Sequence, residues 1–356
     1  MLLIVIFILL IVGTVMVYSS SHIWADYKYG DSLFFVKRQL LFASVGIVAM
    51  IVIMSIPYVV WGKYAKWLLI GCFLLLLLVL IPGIGIVRGG ARSWIGVGAF
   101  SIQPSEFMKL GLIIYLSVLL ATEQKYITSF RKGFGPCLLL IFTAFGLIML
   151  QPDLGTGVVL VLTCMLMIFV AGARLIHFFG LAGLGVGGLT FLILSAPYRI
   201  SRVTSFLNPW EDPLGDGFQI IQSLYAIGPG GLMGMGLGKS LQKYFYLPEP
   251  QTDFIFAILA EELGFIGGTV VIGLFFLLFW RGIKISLEAP DLFGRFLALG
   301  IVSMLTIQVM INISVVIGLI PVTGITLPFL SYGGSSLTLT LCSVGVLLNI
   351  SKYTKV

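Results

Sequence analysis

Long apolar runs without a charged residue recur along the chain, for example at residues 67–82 and 158–173. A membrane-spanning helix needs ~20 mostly apolar residues. Charged residues make up only 10% of the sequence and apolar residues 59%, whereas a soluble domain has roughly 25% charged residues. Open sheets cannot cross a bilayer, because their edge amides would stay unpaired in lipid. The sequence therefore predicts an all-α polytopic membrane protein.

Ten apolar runs are long enough to be membrane spans, so the number of crossings is even and both termini share one side. The first run lacks a basic start and a small-residue cleavage site, and we expect it to remain as a span. Two connections are long, at about residues 83–106 and 197–252, and residues 1–356 are treated as a single transmembrane domain. The predicted spans are residues 1–20, 39–57, 67–82, 107–122, 134–150, 155–173, 176–195, 254–280, 295–318 and 333–350.

The distribution of lysine and arginine gives an orientation, because cytoplasmic loops carry an excess of them. Of the 21 such residues, eleven fall on the side of the termini and ten on the other side. Four of those ten (Arg199, Arg202, Lys239 and Lys243) lie in or beside the longer loop, where the rule has little force. The count favours cytoplasmic termini and two large extracytoplasmic loops. The net charge of +7 reflects these juxtamembrane residues and gives no support for nucleic-acid binding.

Part of the longer loop is predicted to be helical. Phe218, Ile221, Leu224 and Tyr225 share one helical face. Such a helix either lies at the membrane interface or packs on the bundle as a small surface helix.

Cysteine and histidine give no support for a metal site or a histidine-based catalytic centre. The four cysteines all lie in apolar runs, lack the spacing of metal ligands, and are interpreted as buried free thiols. The whole chain has only two histidines.

Charged groups in or beside a span cost a few kcal/mol each, so each is a candidate for function. In "PEPQTDFIFAILAEEL", Thr252 or Asp253 could cap the following helix, and the helix dipole would keep Asp253 ionised. An ionised carboxylate there could equally take a proton from a hydroxyl. Glu261 and Glu262 lie ~12 Å or more further along the helix. We therefore expect them to pair with basic or polar groups on neighbouring helices.

The shorter large loop ends in "PSEFMKL", where Pro104 and Ser105 open a span. Glu106 and Lys109 are spaced i, i+3, which fits either a plain ion pair or a lysine held ready for an anion.

Earlier in the same loop, Arg88 and Arg92 could bind a phosphate while Trp94 stacks against a sugar. Snorkelling arginines and an interfacial tryptophan are the alternative.

Two further polar motifs interrupt the apolar pattern. In "QPDLGTG", Asp153 is predicted to cap a helix after a tight turn. In "PFLSYGGSS", which holds Ser331 and Ser335, proline and paired glycines interrupt an apolar region, which indicates either a pocket wall or a simple helix start. Together, the acid, base and arginines are predicted to meet at the extracytoplasmic face. This arrangement suits chemistry on, or movement of, a lipid-linked anionic substrate.

The motifs "RSWIGVGAFSIQPSEFMKL", "QPDLGTG", "LPEPQTDFIFAILAEELGF" and "GLIPVTGITLPFLSYGGSS" resemble, in this order, those of the SEDS proteins (shape, elongation, division and sporulation). The resemblance covers nearly the whole chain, and "GLGKSLQKYFYLPEP" is similar to the division and sporulation branch. It implies ten transmembrane helices and a peptidoglycan glycosyltransferase that polymerises lipid II for spore cortex or septal wall. It also implies a single-span class B penicillin-binding protein as partner, the cytoplasmic membrane as location, and the septal or forespore-surrounding membrane in a sporulating cell.

The resemblance also carries residue roles. The essential acid of the family falls on Asp253, the loop tryptophan on Trp94, and the charged pair on Glu106 and Lys109. Many members have histidine where this chain has Gln251, so no catalytic histidine is expected there. The candidate substrate-binding residues are Arg88, Arg92, Trp94, Ser105, Glu106, Lys109, Glu249, Gln251, Thr252, Ser331 and Ser335.

The mechanism that we expect has Asp253 as general base for the 4-hydroxyl of the acceptor sugar. That oxygen attacks the anomeric carbon of the donor, undecaprenyl diphosphate leaves, and a β-1,4 bond forms with inversion. Arg88, Arg92 or Lys109 would neutralise the leaving group. No cofactor is assigned, and a divalent cation such as Mg²⁺ or Mn²⁺ is the alternative source of charge.

The sequence also allows two other functions: a lipid II flippase, and a scaffold that recruits a penicillin-binding protein. A transporter should have its polar site near the midplane and broken helices in repeated halves. Here the charges gather at one face and no inverted repeat is evident, which favours the enzyme.

Overall fold

The computed structural model describes residues 1–88, 91–97, 100–194, 206–215 and 217–354. Within these ranges the chain forms a helical bundle and one small sheet. The helices are α1 (Leu2–Tyr29), α2 (Phe34–Ser55), α3 (Tyr58–Leu80), α4 (Pro104–Thr122), α5 (Gly135–Met149), α6 (Leu154–Val170), α7 (Leu175–Leu194), α8 (Phe218–Ile227), α9 (Ile255–Glu288), α10 (Leu292–Val316) and α11 (Gly334–Ser351).

All these helices except α8 correspond one to one with the predicted spans, and the polytopic α-helical fold is confirmed. Eight are long and apolar enough to cross a membrane, counting α5 together with the π turn before it. The other two, α6 and α7, contribute shorter apolar stretches. The boundaries differ most at α1, which continues through three serines to Tyr29, and at α3, which begins at Tyr58 instead of residue 67. A helix is free to extend beyond the lipid, because water there can solvate its polar side chains.

Small residues let the helices pack closely. A Cβ on Gly46 of α2 would meet the Leu341 side chain at 2.5 Å, and one on Gly345 of α11 would meet Met50 O at 2.8 Å. Close approach at small residues is the usual way for membrane helices to associate. The most buried spans are α4, α10 and α11. The bundle therefore has a protein core into which polar groups can be placed away from lipid.

The first large loop folds into an antiparallel sheet, in the order β1 (Gly85–Arg88), β2 (Ala91–Val97) and β3 (Phe100–Ile102). No strand was predicted here. The sequence signal is apolar alternation in "GIVRGGARSWIGVGAFSI", where small glycine-rich pairs separate three runs, a typical hairpin pattern. The sheet contacts α3, α4 and α11, so it lies at the end of the bundle where α4 and α11 begin.

The second large loop contains the predicted helix, α8, and its buried face only partly coincides with the apolar face seen in the sequence. Ile220, Ile221 and Ser223 are buried, whereas Tyr225 is 50% exposed. The buried face packs on α9 and α10, and Ser223 Oγ donates to Val316 O at 2.7 Å. Of the two predicted placements of this helix, the structure thus has packing on the bundle. The start of this loop, including Arg199 and Arg202, lies outside the described residues.

Helix α9 is broken at Gly264, whose backbone has φ 66° and ψ −166°. We call residues 255–263 α9a and residues 265–288 α9b. In an unbroken helix, Phe265 N would bond to Glu261 O, and Ile266 N to Glu262 O. Here residues 231–236 of the long loop, the insert segment, lie in the break and bond to both sides of it.

The insert segment replaces each missing helical hydrogen bond. Phe265 N donates to Gly231 O at 2.8 Å, and Ile266 N donates to Leu232 O at 3.2 Å. In return, the amides of residues 235 and 236 donate to Glu261 O at 2.9 Å and to Glu262 O at 3.0 Å. A helix can be interrupted next to lipid only if the freed backbone groups find such partners.

Glycine is required on both sides of this contact. A Cβ on Gly264 would lie 2.3 Å from Gly234 N, and one on Gly234 would lie 2.2 Å from Glu262 O. The φ and ψ of Gly264 also fall in a region that is essentially restricted to glycine. The break is therefore encoded in the sequence by these two glycines.

We expect Gly264→Ala to destabilise the fold by at least ~1–3 kcal/mol, because it adds backbone strain and a Cβ overlap with the insert segment. The measurement is the thermal unfolding midpoint of the purified protein in detergent. Gly273→Ala in the same helix is the matched control, since a Cβ there meets nothing within 4 Å. Equal midpoints for the two variants would contradict the described break.

Candidate active site

Asp253 lies in a turn just before α9a, at the end of the bundle that carries the sheet. The prediction that Thr252 or Asp253 caps this helix is wrong. The helix starts after Phe254 without a side-chain cap, and Thr252 Oγ1 donates instead to Glu249 O at 2.9 Å. The chain turns at residues 251–254, which moves both side chains away from the capping position.

Three hydrogen bonds fix the backbone around Asp253. Asn312 Nδ2 in α10 donates to Asp253 O at 2.7 Å. Ser331 Oγ donates to Thr252 O at 2.7 Å, and Tyr332 N donates to Gln251 O at 2.8 Å. The turn is thus held by α10 and by the segment that leads into α11. With its backbone held from two sides, the Asp253 carboxylate has a defined position.

Burial and, to a smaller extent, the nearby charge of Glu249 together raise the pKa of Asp253 to about 6, against a smaller lowering by the Thr252 hydroxyl. The helix dipole was expected to act in the opposite direction. In the described part of the chain, no lysine or arginine lies within ion-pair distance of this carboxylate. The Asp253 carboxyl therefore titrates close to neutral pH.

Several buried polar atoms near this turn have no hydrogen-bond partner. Leaving such an atom unpaired costs ~1–3 kcal/mol, so a group of them marks a place where a ligand or water completes the bonding. Asn312 and Thr323 were not predicted as site residues, although a polar residue in an apolar span such as Asn312 is itself a signal. The atoms are Gln251 Oε1, Asn312 Oδ1, Thr323 Oγ1 and Ser335 Oγ.

A second polar cluster forms around Asp153. Its Oδ1 accepts from Thr156 N at 3.1 Å, so the predicted cap of α6 is confirmed. Its Oδ2 accepts from Gln103 Nε2 at 2.7 Å and from Ser105 Oγ at 3.0 Å. Ser105, which is fully buried, thus joins the start of α4 to the start of α6.

Glu106 and Lys109 form a buried ion pair in α4. Lys109 Nζ lies 2.8 Å from Glu106 Oε1, and the two side chains are only 3% and 9% exposed. The ion pair is present but is buried away from bulk water instead of lying on the helix surface, and a role of Lys109 toward an anion stays a prediction. The positive charge of Lys109 is therefore largely neutralised by Glu106.

The segment from Thr323 to Ile325 lies between these two clusters. A Cβ on Gly155 at the start of α6 would meet Thr323 O at 2.4 Å. A Cβ on Gly324 would lie 3.8 Å from Asp253 Oδ2. Asp253 and the start of α6, which carries the Asp153 cluster, therefore both lie close to this segment.

The sheet carries the remaining predicted residues. A register shift separates Arg92 from Trp94 in β2: Trp94 pairs with Ile86 and Arg92 with Val87. Because adjacent residues of a strand face opposite sides, the two side chains lie on opposite faces of the sheet. Both are partly buried, and Arg92 packs over Gly85. Arg88 ends β1, and its side chain lies outside the described residues.

The described residues contain no group of three or more His, Cys, Asp or Glu close enough to hold a metal ion. Glu249 is exposed beside Asp253 and has a left-handed backbone, with φ 45°.

The fold is that of a multi-pass SEDS membrane protein, and the chain belongs to that family. The family profile described as "Cell cycle protein", which covers FtsW, RodA and SpoVE, matches residues 1–356. The resemblance found in the sequence motifs is thereby confirmed.

Within the family, the chain is 67% identical to "Stage V sporulation protein E" of Bacillus subtilis (strain 168) over 355 residues, covering 100% of this chain and 97% of the relative. It is 46% identical over 339 residues to "Probable peptidoglycan glycosyltransferase FtsW" of Geobacter sp. (strain M18), covering 95% and 92%. The chain is thus similar to a sporulation member as well as to division members.

Two solved structures have the same fold over their full length. One is described as "Structural coordination of polymerization and crosslinking by a peptidoglycan synthase complex", with 32% identity, a TM-score of 0.81 and coverage of 100% and 98%. The other is the rod shape determining protein RodA of Thermus thermophilus, with 28% identity, a TM-score of 0.71 and coverage of 100% and 97%.

The raised pKa of Asp253 predicts an effect on stability. A raised pKa in the fold means that ionisation opposes folding, so the contribution of this carboxyl is present at low pH and is lost as the pH rises through about 6. We therefore expect Asp253→Asn to raise the unfolding midpoint at pH 7.5, and the gain to shrink at pH 4.5.

Asp31→Asn is the matched control for that experiment. A hydrogen bond from Lys37 lowers the pKa of Asp31, so its replacement is expected to have the opposite, small effect at pH 7.5. A lower midpoint for Asp253→Asn than for wild type at pH 7.5 would contradict the described environment.

Proposed function

We propose that this protein is a peptidoglycan glycosyltransferase that polymerises lipid II into β-1,4-linked glycan strands. Relatives at 46% identity are named peptidoglycan glycosyltransferases, and a chain with the same fold is part of a peptidoglycan synthase complex. The observation that carries the proposal is Asp253, a fixed carboxyl with a pKa of about 6 beside buried oxygen atoms that lack partners.

In the proposed reaction, Asp253 takes the proton from the 4-hydroxyl of the acceptor sugar. The oxygen then forms a bond to the anomeric carbon of the donor as the bond to undecaprenyl diphosphate breaks, with inversion at that carbon. A general base works best when its pKa lies near the operating pH, since it is then both ionised and sufficiently basic. Gln251, Asn312, Thr323 and Ser335 would hydrogen-bond hydroxyl or amide groups of the substrate.

The diphosphate needs positive charge more than it needs a general acid. Because Lys109 is paired with Glu106, the arginines of the sheet, Arg88 and Arg92, are the better candidates within the chain. Trp94, in the same strand as Arg92, would stack against a sugar. A divalent cation held mainly by the diphosphate oxygens is the alternative, since Mg²⁺ is commonly bound through substrate phosphates.

The proposal also includes the partner protein, the orientation in the membrane and the location in the cell. The partner would be a single-span class B penicillin-binding protein, supported by the synthase complex that shares this fold. Both termini would be cytoplasmic, and the site would face the extracytoplasmic side. The 67% sequence identity with a stage V sporulation protein supports a role in spore cortex synthesis at the septal or forespore-surrounding membrane.

The broken α9 does not favour a transporter over the enzyme. Transporters use broken helices to present free backbone groups to a substrate near the midplane. Here the groups freed at Gly264 are already bonded to the insert segment, so they are not available to a substrate.

We expect Asp253→Asn to slow lipid II polymerisation by ~10²–10⁴-fold, the usual contribution of a general base. The measurement is glycan chain formation from lipid II by the purified protein with its partner, with Asp31→Asn as control. Near wild-type polymerisation by folded Asp253→Asn would exclude the base. If wild type moves lipid II across vesicles without polymerising it, the protein is a flippase, and if it does neither, a scaffold.

The proposed base also sets the pH dependence of the reaction. The rate should rise with pH to a plateau, with a midpoint near the pKa of about 6, because only ionised Asp253 accepts the proton. Removing the neighbouring charge with Glu249→Gln should move this midpoint to lower pH, since that charge raises the pKa. An unchanged or higher midpoint in the rate profile of Glu249→Gln would contradict this assignment.

A further inference from the structure

A buried polar network fills the break in α9, about a dozen ångströms along the helix from the proposed active site. Its centre is Glu262, which is fully buried. Ser19 Oγ of α1 donates to the Glu262 carboxylate at 2.6 Å, and Ser240 N donates to it at 3.2 Å. Lys243 Nζ lies 3.3 Å from Glu262 Oε1, with both side chains at 0% exposure.

The neighbouring Glu261 is bound to the same stretch of loop. Its carboxylate accepts from Ser240 Oγ at 2.5 Å and from Leu241 N at 2.7 Å. The two glutamates were predicted to pair with polar or basic groups on neighbouring helices; the kind of partner is confirmed, but its location is mostly wrong. The partners come mostly from the long loop and, in Ser19, from a neighbouring helix.

Lys243 has a distinct position in this network. Two adjacent carboxylates are removed from water, and among the described residues Lys243 is the basic group within ion-pair distance of either one. Its Nζ also donates to Gly238 O, so it ties the loop to the carboxylate through two contacts. Removing one partner of a buried ion pair leaves the other charge uncompensated, and typically costs ~3–5 kcal/mol.

The network is attached to the part of α9 that leads to Asp253. The nine residues of α9a are too few to form a stable helix in isolation. At its carboxyl end the helical hydrogen bonding stops at Gly264. This end is held instead by the insert segment and by the contacts of the two glutamates. Its amino end follows Asp253, whose backbone is held by Asn312. The position of α9a is therefore set by one anchor at each end.

We propose that Lys243 is a positioning residue for the transfer reaction: by neutralising Glu262 inside the break of α9, it fixes α9a and, through it, the Asp253 carboxyl. This inference rests on the proposed function. An uncompensated Glu262 would draw water or a proton into the break and loosen the insert segment. The turn at residues 251–254 would then no longer be held in place by α9a. As a result, the distance between the Asp253 carboxyl and Glu249 and the burial of Asp253 would both change.

The test compares Lys243→Met, the double variant Lys243→Met with Glu262→Gln, and Lys243→Arg, in the full protein with its partner. Lys243→Met is expected to lower kcat at least tenfold with little change in KM and to shift the pH midpoint of the rate. The double variant, which removes both charges while keeping an acceptor for Ser19 and Ser240 N, should recover kcat to within a few fold. Lys243→Arg keeps the charge and should lie between wild type and Lys243→Met.

A second readout does not depend on activity. Hydrogen exchange of the α9a amides should be faster in Lys243→Met than in wild type, and near wild type in the double variant. Phe134→Ala is the control for general loss of stability, because Phe134 is fully buried at the start of α5, away from α9. At a temperature where it is still folded, that variant should keep both kcat and the pH midpoint.

The inference is overturned if folded Lys243→Met keeps the wild-type kcat and pH midpoint, or if its defect matches that of Phe134→Ala at an equal loss of thermal stability. Wild type and Asp253→Asn are assayed in parallel. If wild type polymerises and Asp253→Asn does not, a normal Lys243→Met rejects the positioning role alone. If wild type fails to polymerise lipid II, or Asp253→Asn retains the activity, the proposed function and this inference fail together.

Discussion

The need to pair every backbone amide and carbonyl next to lipid is the constraint on which this structure depends. It restricts the spans to helices, and it also explains how α9 can depart from that form. At Gly264 the helix is broken, and the loop segment at residues 231–236 supplies the bonds that the helix lost. The long loop is thereby part of the bundle, not an appendage to it.

The break separates two tasks within one helix. Its lower part, α9b, is 24 residues long by the limits given above and is apolar enough to span the bilayer alone. Its upper part, α9a, is almost entirely buried and leads to Asp253. A continuous helix would orient Asp253 by the tilt of the whole span in the membrane. With the break, the local contacts of Asn312, Ser331 and the glutamate network determine where the carboxyl lies.

Composition and periodicity were sufficient for the spans, because a membrane helix is defined by one short-range property, its run of apolar residues. Asp153 was likewise predictable as a cap from its local sequence. The turn at Asp253 was not, because a contact with Asn312, distant in sequence, decides its course. The sheet was not predicted although its hairpin signal is local, because that signal is short and stands in a chain whose composition is that of membrane helices.

The site likewise combines residues that local sequence motifs predict with residues that only contacts distant in sequence bring together. Sequence motifs identified Asp253, Gln251 and Ser335, yet they could not tell that Asn312 and Thr323 would bring unpaired oxygens to the same turn. Unpaired buried oxygens beside a carboxyl that titrates near neutral pH are costly for a protein that only has to fold. Their cost is offset when a polar substrate completes the bonds, and a sugar, with many hydroxyl groups on a compact ring, is well suited to do so. The destabilising features of this end of the bundle are thus the ones that the proposed transfer reaction would use.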